Sequence, residues 1–320
     1  MLLLVFILLF VIAEIYIYIA QKYDFVDRPN IRSSHITPTI RGGGIIFPIS
    51  MVLWSFVTGN LFTPFILGLC LVSIISFLDD CFRISNRIRL AVQMLSIALL
   101  LYQLGFGNYS FLYWAFGLLF IGGWLNTYNF MDGINGITIL YSLSVLVVCY
   151  YLNDQFNYVE DSLLIHTCMG LVVFGFYNVR KTAKAFAGDI GSVSMAFIIA
   201  FVIVSLLIKS LNWQYVLLVS VYGIDAVVTI VQRLLREENI FKAHRSHLYQ
   251  YLANEAKWSH ISVSFIYASS QFLINAGLIF YIIPYNNHLL AIIYLALQGG
   301  AYLMIKLLLM KKLNIISNNI

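Results

Sequence analysis

The chain has 320 residues, of which 61% are hydrophobic and only 10% charged, with a formal net charge of +5. A charged fraction so far below the quarter or so usual in soluble proteins excludes a soluble enzyme and points to a polytopic membrane protein. The positive balance is the ordinary bias of loops that face anionic lipid and argues for no nucleic acid partner.

Apolar runs long enough to cross about 30 Å of hydrocarbon fall at 2–20, 44–58, 61–78, 88–105, 111–126, 136–152, 162–178, 191–208, 214–231, 261–283 and 288–310. The expected fold is therefore all-α, with about eleven transmembrane helices. The first run lacks a basic start and a small-residue cleavage site, so it reads as a retained helix rather than a signal peptide. With eleven spans, every Lys and Arg except Lys209 falls on one side of the membrane. By the positive-inside rule that side is cytoplasmic, with the N-terminus outside and the C-terminus inside. Cys70, Cys81, Cys149 and Cys168 lie in or beside spans without C-x-x-C spacing, which reads as small-hydrophobe packing. No internal repeat stands out, and residues 1–320 read as one membrane-embedded domain.

Polar chemistry concentrates in five segments on the cationic side, about 21–43, 79–89, 126–135, 179–190 and 232–260. The first carries Arg32, His35 and Arg41 ahead of three glycines that open the second span. Glycine N–H groups before a helix suit a phosphate; the alternative is a juxtamembrane loop that meets lipid headgroups. The second, "FLDDCFR", ends an apolar run on Asp79 and Asp80, at a helix C-terminus whose dipole disfavours acids. Adjacent helical residues point about 100° apart, so the two acids address different groups, or else pair with Arg83 and Arg87.

The third, "NTYNFMDGINGI", sets Asn126, Asn129, Asp132 and Asn135 on a glycine-rich turn. It lacks the acidic count and terminal Glu of a calcium loop and suits either a base, ribose or sugar or simple turn capping. In the fourth, "AFAGDIGS", Asp189 sits just before a span, as an N-cap or as a hard oxygen ligand for Mg²⁺; Lys184 and Phe186 stand ready for phosphate and base. The fifth, "HRSHLYQ", packs His244, Arg245 and His247 together. No further ligand completes a zinc site, which leaves a cationic grip on pyrophosphate or an amphipathic surface helix. Asp225 and Glu14, acids within spans, are left outside the site.

In order, "DRPNIRSSHITPTIRGGG", "FLDDCFR", "NTYNFMDGINGI", "AFAGDIGS" and "HRSHLYQ" resemble the polyprenyl-phosphate N-acetylhexosamine-1-phosphate transferases (glycosyltransferase family 4). These stretches reach from Asp27 to Gln250. The resemblance implies that undecaprenyl phosphate attacks the β-phosphorus of a UDP-N-acetylhexosamine, giving undecaprenyl-diphosphate-sugar and UMP. It implies Mg²⁺ as cofactor, with Mn²⁺ as an alternative, a bacterial inner membrane location, and a lipid bilayer with a homodimer as one arrangement. Asp79 and Asp80 would sit at the lipid phosphate, with Asp79 as base, and Asp189 would hold the metal. Asn129, Asp132 and Asn135 would line the nucleotide-sugar pocket, with Phe186 against uracil. His35, Arg41, Asn178 and Lys184 would bind substrate, and His244, Arg245 and His247 would close over it. "HRSHLYQ" looks most like the O-antigen-initiating members, and the segment before Asp189, "NVRKTAKAF", lacks the prolines usual in the family. The expected function is initiation of O-antigen or another envelope glycan; the alternatives are a peptidoglycan phospho-N-acetylmuramoyl-pentapeptide transferase and a secondary transporter.

Overall fold

The computed structural model describes residues 1–29, 34, 37–60, 63–82, 84–240 and 244–315. Its helices are α1 (Leu2–Lys22), α2 (Ile46–Thr58), α3 (Pro64–Phe82), α4 (Asn86–Gln103), α5 (Phe111–Met131), α6 (Ile137–Phe156), α7 (Asp161–Asn178), α8 (Gly188–Ser210), α9 (Ser220–Leu235), the short α10 (Leu248–Gln250), α11 (His260–Gly277) and α12 (His288–Lys312). The protein is all-α apart from one antiparallel pair, β1 (Val26–Asp27) with β2 (Thr39–Ile40).

Among the described residues, seven helices are long and apolar enough to cross a membrane, which corrects the expected eleven. They are α1, α3, α6, α8, α9 with the turn that precedes it from Trp213, α11 extended to Tyr285, and α12. The apolar helix over Gly43–Thr58 is too short. Helices α4, α5 and α7 fall outside because apolar run length alone overrates them. Helices α4 and α7 carry buried polar residues, Gln93, His166 and Asn178, and α5 carries Trp, Asn, Thr and Tyr in its second half.

Helix α8 is the axis of the bundle. Every residue from Ile190 to Ala200 is buried, as expected for a helix that is apolar all round, and it is packed by α3, α5, α6 and α2. In contrast α12 buries only Ala291, Lys306 and Met310.

The N-terminus of α8 is gripped from two directions. Gly43 N–H donates to Phe186 O (2.8 Å) and Gly44 N–H to Ala187 O (3.1 Å). These glycines therefore hold neighbouring backbone, which corrects the expectation that their N–H groups stay free for an anion. A Cβ on Gly44 would lie 2.3 Å from the Gly191 Cα, so the two chains meet backbone to backbone. Phe186 N–H donates in turn to Ile40 O (2.8 Å), and Ile40 bridges Ala185 in parallel.

From the other side comes Asp80, on the last turn of α3. Its carboxylate accepts the Asp189 and Ile190 backbone N–H groups, each at 3.2 Å, and pairs with Arg41 Nη2 at 2.7 Å. The acid that looked misplaced at the C-terminus of its own helix is seated on the positive N-terminus of another. Gly188, at φ +72, is needed there, since a Cβ would meet Asp80 Oδ2 at 2.6 Å.

Two outcomes follow for thermal melting of the detergent-purified protein. Gly44→Ala should lower stability by about 1–3 kcal/mol, because the facing backbone cannot yield. Asp80→Ala should cost about 2–3 kcal/mol, since it leaves Arg41 and two backbone donors without their acceptor.

Candidate active site

The five polar segments meet at one end of the bundle. Asp79 and Asp80 diverge as adjacent helical residues should. While Asp80 faces α8, Asp79 Oδ2 pairs with Arg89 Nη1 at 2.6 Å and its Oδ1 accepts the Ile84 N–H at 2.7 Å. The arginine is thus Arg89, one helix on, and not the exposed Arg87; Arg83 lies outside the described residues. Between the two pairs stands Asp189, with Arg41 Nη2 at 4.0 Å and Arg89 Nη1 at 3.7 Å. Both distances exceed hydrogen-bond range, so its oxygens are attracted by two guanidinium groups without being engaged by either. Asn129 accepts from Ser192 Oγ (2.7 Å) and turns its amide toward the Asp189 carboxylate.

A cleft of about 480 Å³ opens beside this cluster, lined by Arg41, Asn129, Asp132, Asn135, Asn178, Phe186, Asp189, Gln250 and His260, among others. Asp132 caps the end of α5 and accepts a hydrogen bond from the Thr138 hydroxyl. Burial pushes its carboxyl up to about 7; the nearby Asp189 and Asp80 charges add to the rise and the Thr138 hydroxyl opposes it. No arginine pairs with Asp132 among the described ion pairs, in contrast to Asp79 and Asp80. Its carboxyl is thus poised to gain or lose a proton near neutrality.

The asparagines divide into scaffold and surface. Asn178 Oδ1 accepts Gly136 N–H (2.7 Å) and its Nδ2 donates to Ala185 O (2.9 Å), stitching the third polar segment to the fourth. Asn135 Nδ2 donates to Arg180 O (3.0 Å), whereas its Oδ1 is buried without a protein partner. That atom is an acceptor awaiting a donor.

In the fifth segment His247 is buried, with its Nδ1 2.7 Å from Asp225 Oδ1. The ring of His244 lies 5.0 Å from that of His247. Burial, followed by the neighbouring His247 and Arg233, pushes His244 down to about 4. His244 is therefore neutral at pH 7, so this ring adds no charge to the cluster. Arg245 lies near enough to Tyr249 to act on its hydroxyl.

Of the remaining expected residues, Phe186 lines the cleft, while Lys184 is exposed and lines neither this cleft nor its neighbour. His35 lies outside the described residues. Two residues went unforeseen. His260 accepts the Asn135 N–H at its Nδ1 (3.4 Å); Ser259, whose hydroxyl accepts Ser262 N–H (3.1 Å), signals a helix start but not which way the next side chain faces. Asp225 carried the signal of an acid within a span, without its partner. A second cleft of about 710 Å³ adjoins the first, shares Asn135, Phe186 and His260 with it, and adds Lys181, Lys257 and Trp258.

Residues 62–207 match the family model described as "Glycosyl transferase family 4", a stretch that holds Asp79, Asp80, Asn129, Asp132 and Asp189. The chain is similar to the phospho-N-acetylmuramoyl-pentapeptide-transferase of Streptococcus pneumoniae (strain 70585), 28% identical over 72% of this chain and 80% of that protein. It is likewise similar to that of Streptococcus suis (strain 05ZYH33), 28% identical over 86% of this chain and 90% of that protein. These likenesses correct the expected affinity with O-antigen-initiating enzymes, because they point to the pentapeptide-transferase branch. Over most of its length this polytopic membrane protein is similar to phospho-N-acetylmuramoyl-pentapeptide-transferases.

Proposed function

We propose that this protein transfers phospho-N-acetylmuramoyl-pentapeptide from its UDP carrier to undecaprenyl phosphate, releasing UMP. The observation that carries the reading is the convergence of Arg41, Asp132 and Asp189 on one cleft, with Arg89 behind Asp189 at 3.7 Å, within a chain similar to transferases of that name. An oxygen of the lipid phosphate attacks the β-phosphorus of the donor; the bond from that phosphorus to the bridging oxygen breaks, and UMP leaves. Two phosphorylated substrates bring several negative charges together, and Arg41 and Arg89 offset them with preorganised donors.

Asp79 is held by Arg89 and the Ile84 N–H, so the base is better assigned to Asp132, which can take the remaining proton of the lipid phosphate. Phe186 gives a flat apolar surface for uracil, and Asn135 Oδ1 an acceptor for a donor group of the substrate. The neighbouring cleft, with Lys181 and Lys257, gives room for a peptide-bearing donor larger than the first cleft holds. Cations crowd the site end, as with Arg41, Arg89, Arg180 and Lys181, whereas Lys209 stands at the far end of α8. That asymmetry faces the site to the cytoplasm.

The residues fit Mg²⁺. Asp189 offers hard oxygens without a close protein donor other than Asn129, and one carboxylate with substrate phosphates and water is the ordinary way this ion is held. When bound, the ion would neutralise charge on the diphosphate; Mn²⁺ would serve the same oxygens.

Purified protein with undecaprenyl phosphate and Mg²⁺ should release UMP from UDP-N-acetylmuramoyl-pentapeptide and not from UDP-N-acetylglucosamine. Release from the second donor alone would overturn the donor assignment, and vesicle uptake without UMP would favour a transporter. Asp189→Asn should lower turnover by about 10²–10³-fold. A carboxyl that titrates near 7 is protonated below that pH and ionised above it, so a base there makes turnover climb with pH through about 7. Asp132→Asn should lower turnover and erase that limb; an unchanged profile would sink the assignment.

A further inference from the structure

A second polar assembly lies beyond the cleft, buried among α9, α11, α12 and the segment after residue 244. At its centre Asp225, fully buried on α9, meets His247 Nδ1 at 2.7 Å and accepts the Tyr267 hydroxyl at 2.6 Å. Thr229, one turn along α9, has its hydroxyl 3.3 Å from the same carboxylate and accepts Lys306 Nζ of α12 at 2.8 Å. Lys306 is 0% exposed and one of only three buried residues on that helix. The sequence groups it with the loop cations, yet it lies wholly inside the protein.

A buried ammonium and a buried carboxylate are each costly unless they offset one another and are hydrogen-bonded. Here three donors and a nearby ammonium serve one carboxylate, more than anchoring a helix requires. The other end of the chain of contacts is different: His247 Nε2 is buried and has no protein partner. A carboxylate on Nδ1–H sets which ring nitrogen carries the proton and leaves the second as the working atom. The His247 ring also lies 6.3 Å from that of Phe130, which directly precedes Met131 and Asp132, and Tyr249 fixes this turn by donating to Phe130 O at 2.9 Å.

We propose that Asp225 is a positioning residue for the transfer: it holds His247 with Nδ1–H bound so that Nε2 is the nitrogen left to meet a substrate phosphate, while Thr229 and Lys306 brace the carboxylate from α9 and α12. The proposal rests on the transferase reading above. It makes the otherwise lipid-facing α12 part of the site's support, through one side chain.

The test uses the full-length protein and the UMP assay. Asp225→Asn should lower kcat by about tenfold or more with KM within about twofold, the split expected when an interaction made only in the transition state is lost. In a His247→Gln background the same substitution should have no further effect on kcat, and ¹⁵N spectra of histidine-labelled protein should show His247 protonated at Nδ1 only while Asp225 is present. Tyr267→Phe, which keeps the carboxylate and removes one donor, should give a smaller fall in kcat and serves if Asp225→Asn does not fold. An unchanged kcat in the folded single variants, an equal loss with and without His247, or an Nε2-protonated ring would each overturn the proposal. Failure of the unsubstituted protein to release UMP would instead overturn the transferase reading, and the proposal with it.

Discussion

The site depends on the seating of one carboxylate, Asp80, at the N-terminus of α8. Helix termini leave backbone N–H groups without intrahelical partners, and an anion among them is favoured by both hydrogen bonding and the helix dipole. Asp80 supplies that anion from α3, and Arg41 closes on it from the segment before α2. Three parts of the chain far apart in sequence are thereby brought within a few ångströms. Asp189 is held by its own backbone, so its side chain is left available. The same geometry explains the glycines: Gly44 and Gly188 stand where any Cβ would push the partners apart.

Around this anchor the charges are sorted by function. Two acids are committed to arginines and backbone, Asp80 to Arg41 and Asp79 to Arg89. Asp189 stays between the guanidinium groups without a direct bond to either, and Asp132 stands apart from them with a carboxyl that titrates near neutrality. One cluster of acids thus holds two carboxylates committed to arginines, one that lies between guanidinium groups without a bond to either, and one whose carboxyl is raised toward neutrality, separated by which neighbours each one meets. The residue type is the same in all; the environment assigns the work.

Much of this was legible in the sequence because polar residues stand out against an apolar chain. Of five short clusters, four marked segments that line the cleft and the remaining one, at 79–89, the acids that stand beside it, and the adjacency of Asp79 and Asp80 implied divergent side chains. Partners across the fold were not legible. The pairing of Asp79 with Arg89 depends on how α4 turns back after the break at Ile84 and Ser85, and that of Asp225 with His247 on a return of the chain over 22 positions. The glycines misled for a related reason: Gly43 and Gly44 signal close backbone approach, yet whether the approaching group is a ligand or another strand is a tertiary fact. The count of spans failed because hydropathy registers composition along a helix. It does not register that Gln93, His166 and Asn178 point inward, where polar contacts replace lipid.

The backbone contact of Gly44 with Gly191 has a mechanical consequence. Helices interlocked at that distance have no side chains between them to repack, so neither can slide along the other without breaking main-chain hydrogen bonds. The wall of the cleft formed by residues 41–44 and 186–191 is in effect a fixed jaw. A ligand that enlarges the cleft must displace the opposite wall, where Gln250 on the short α10 and His260 at the start of α11 are joined through the turn at Lys257, a non-glycine residue at φ 60. Accommodation of a ligand is thereby asymmetric: one face of the cleft is unyielding, and any widening has to come from the side of Gln250 and His260.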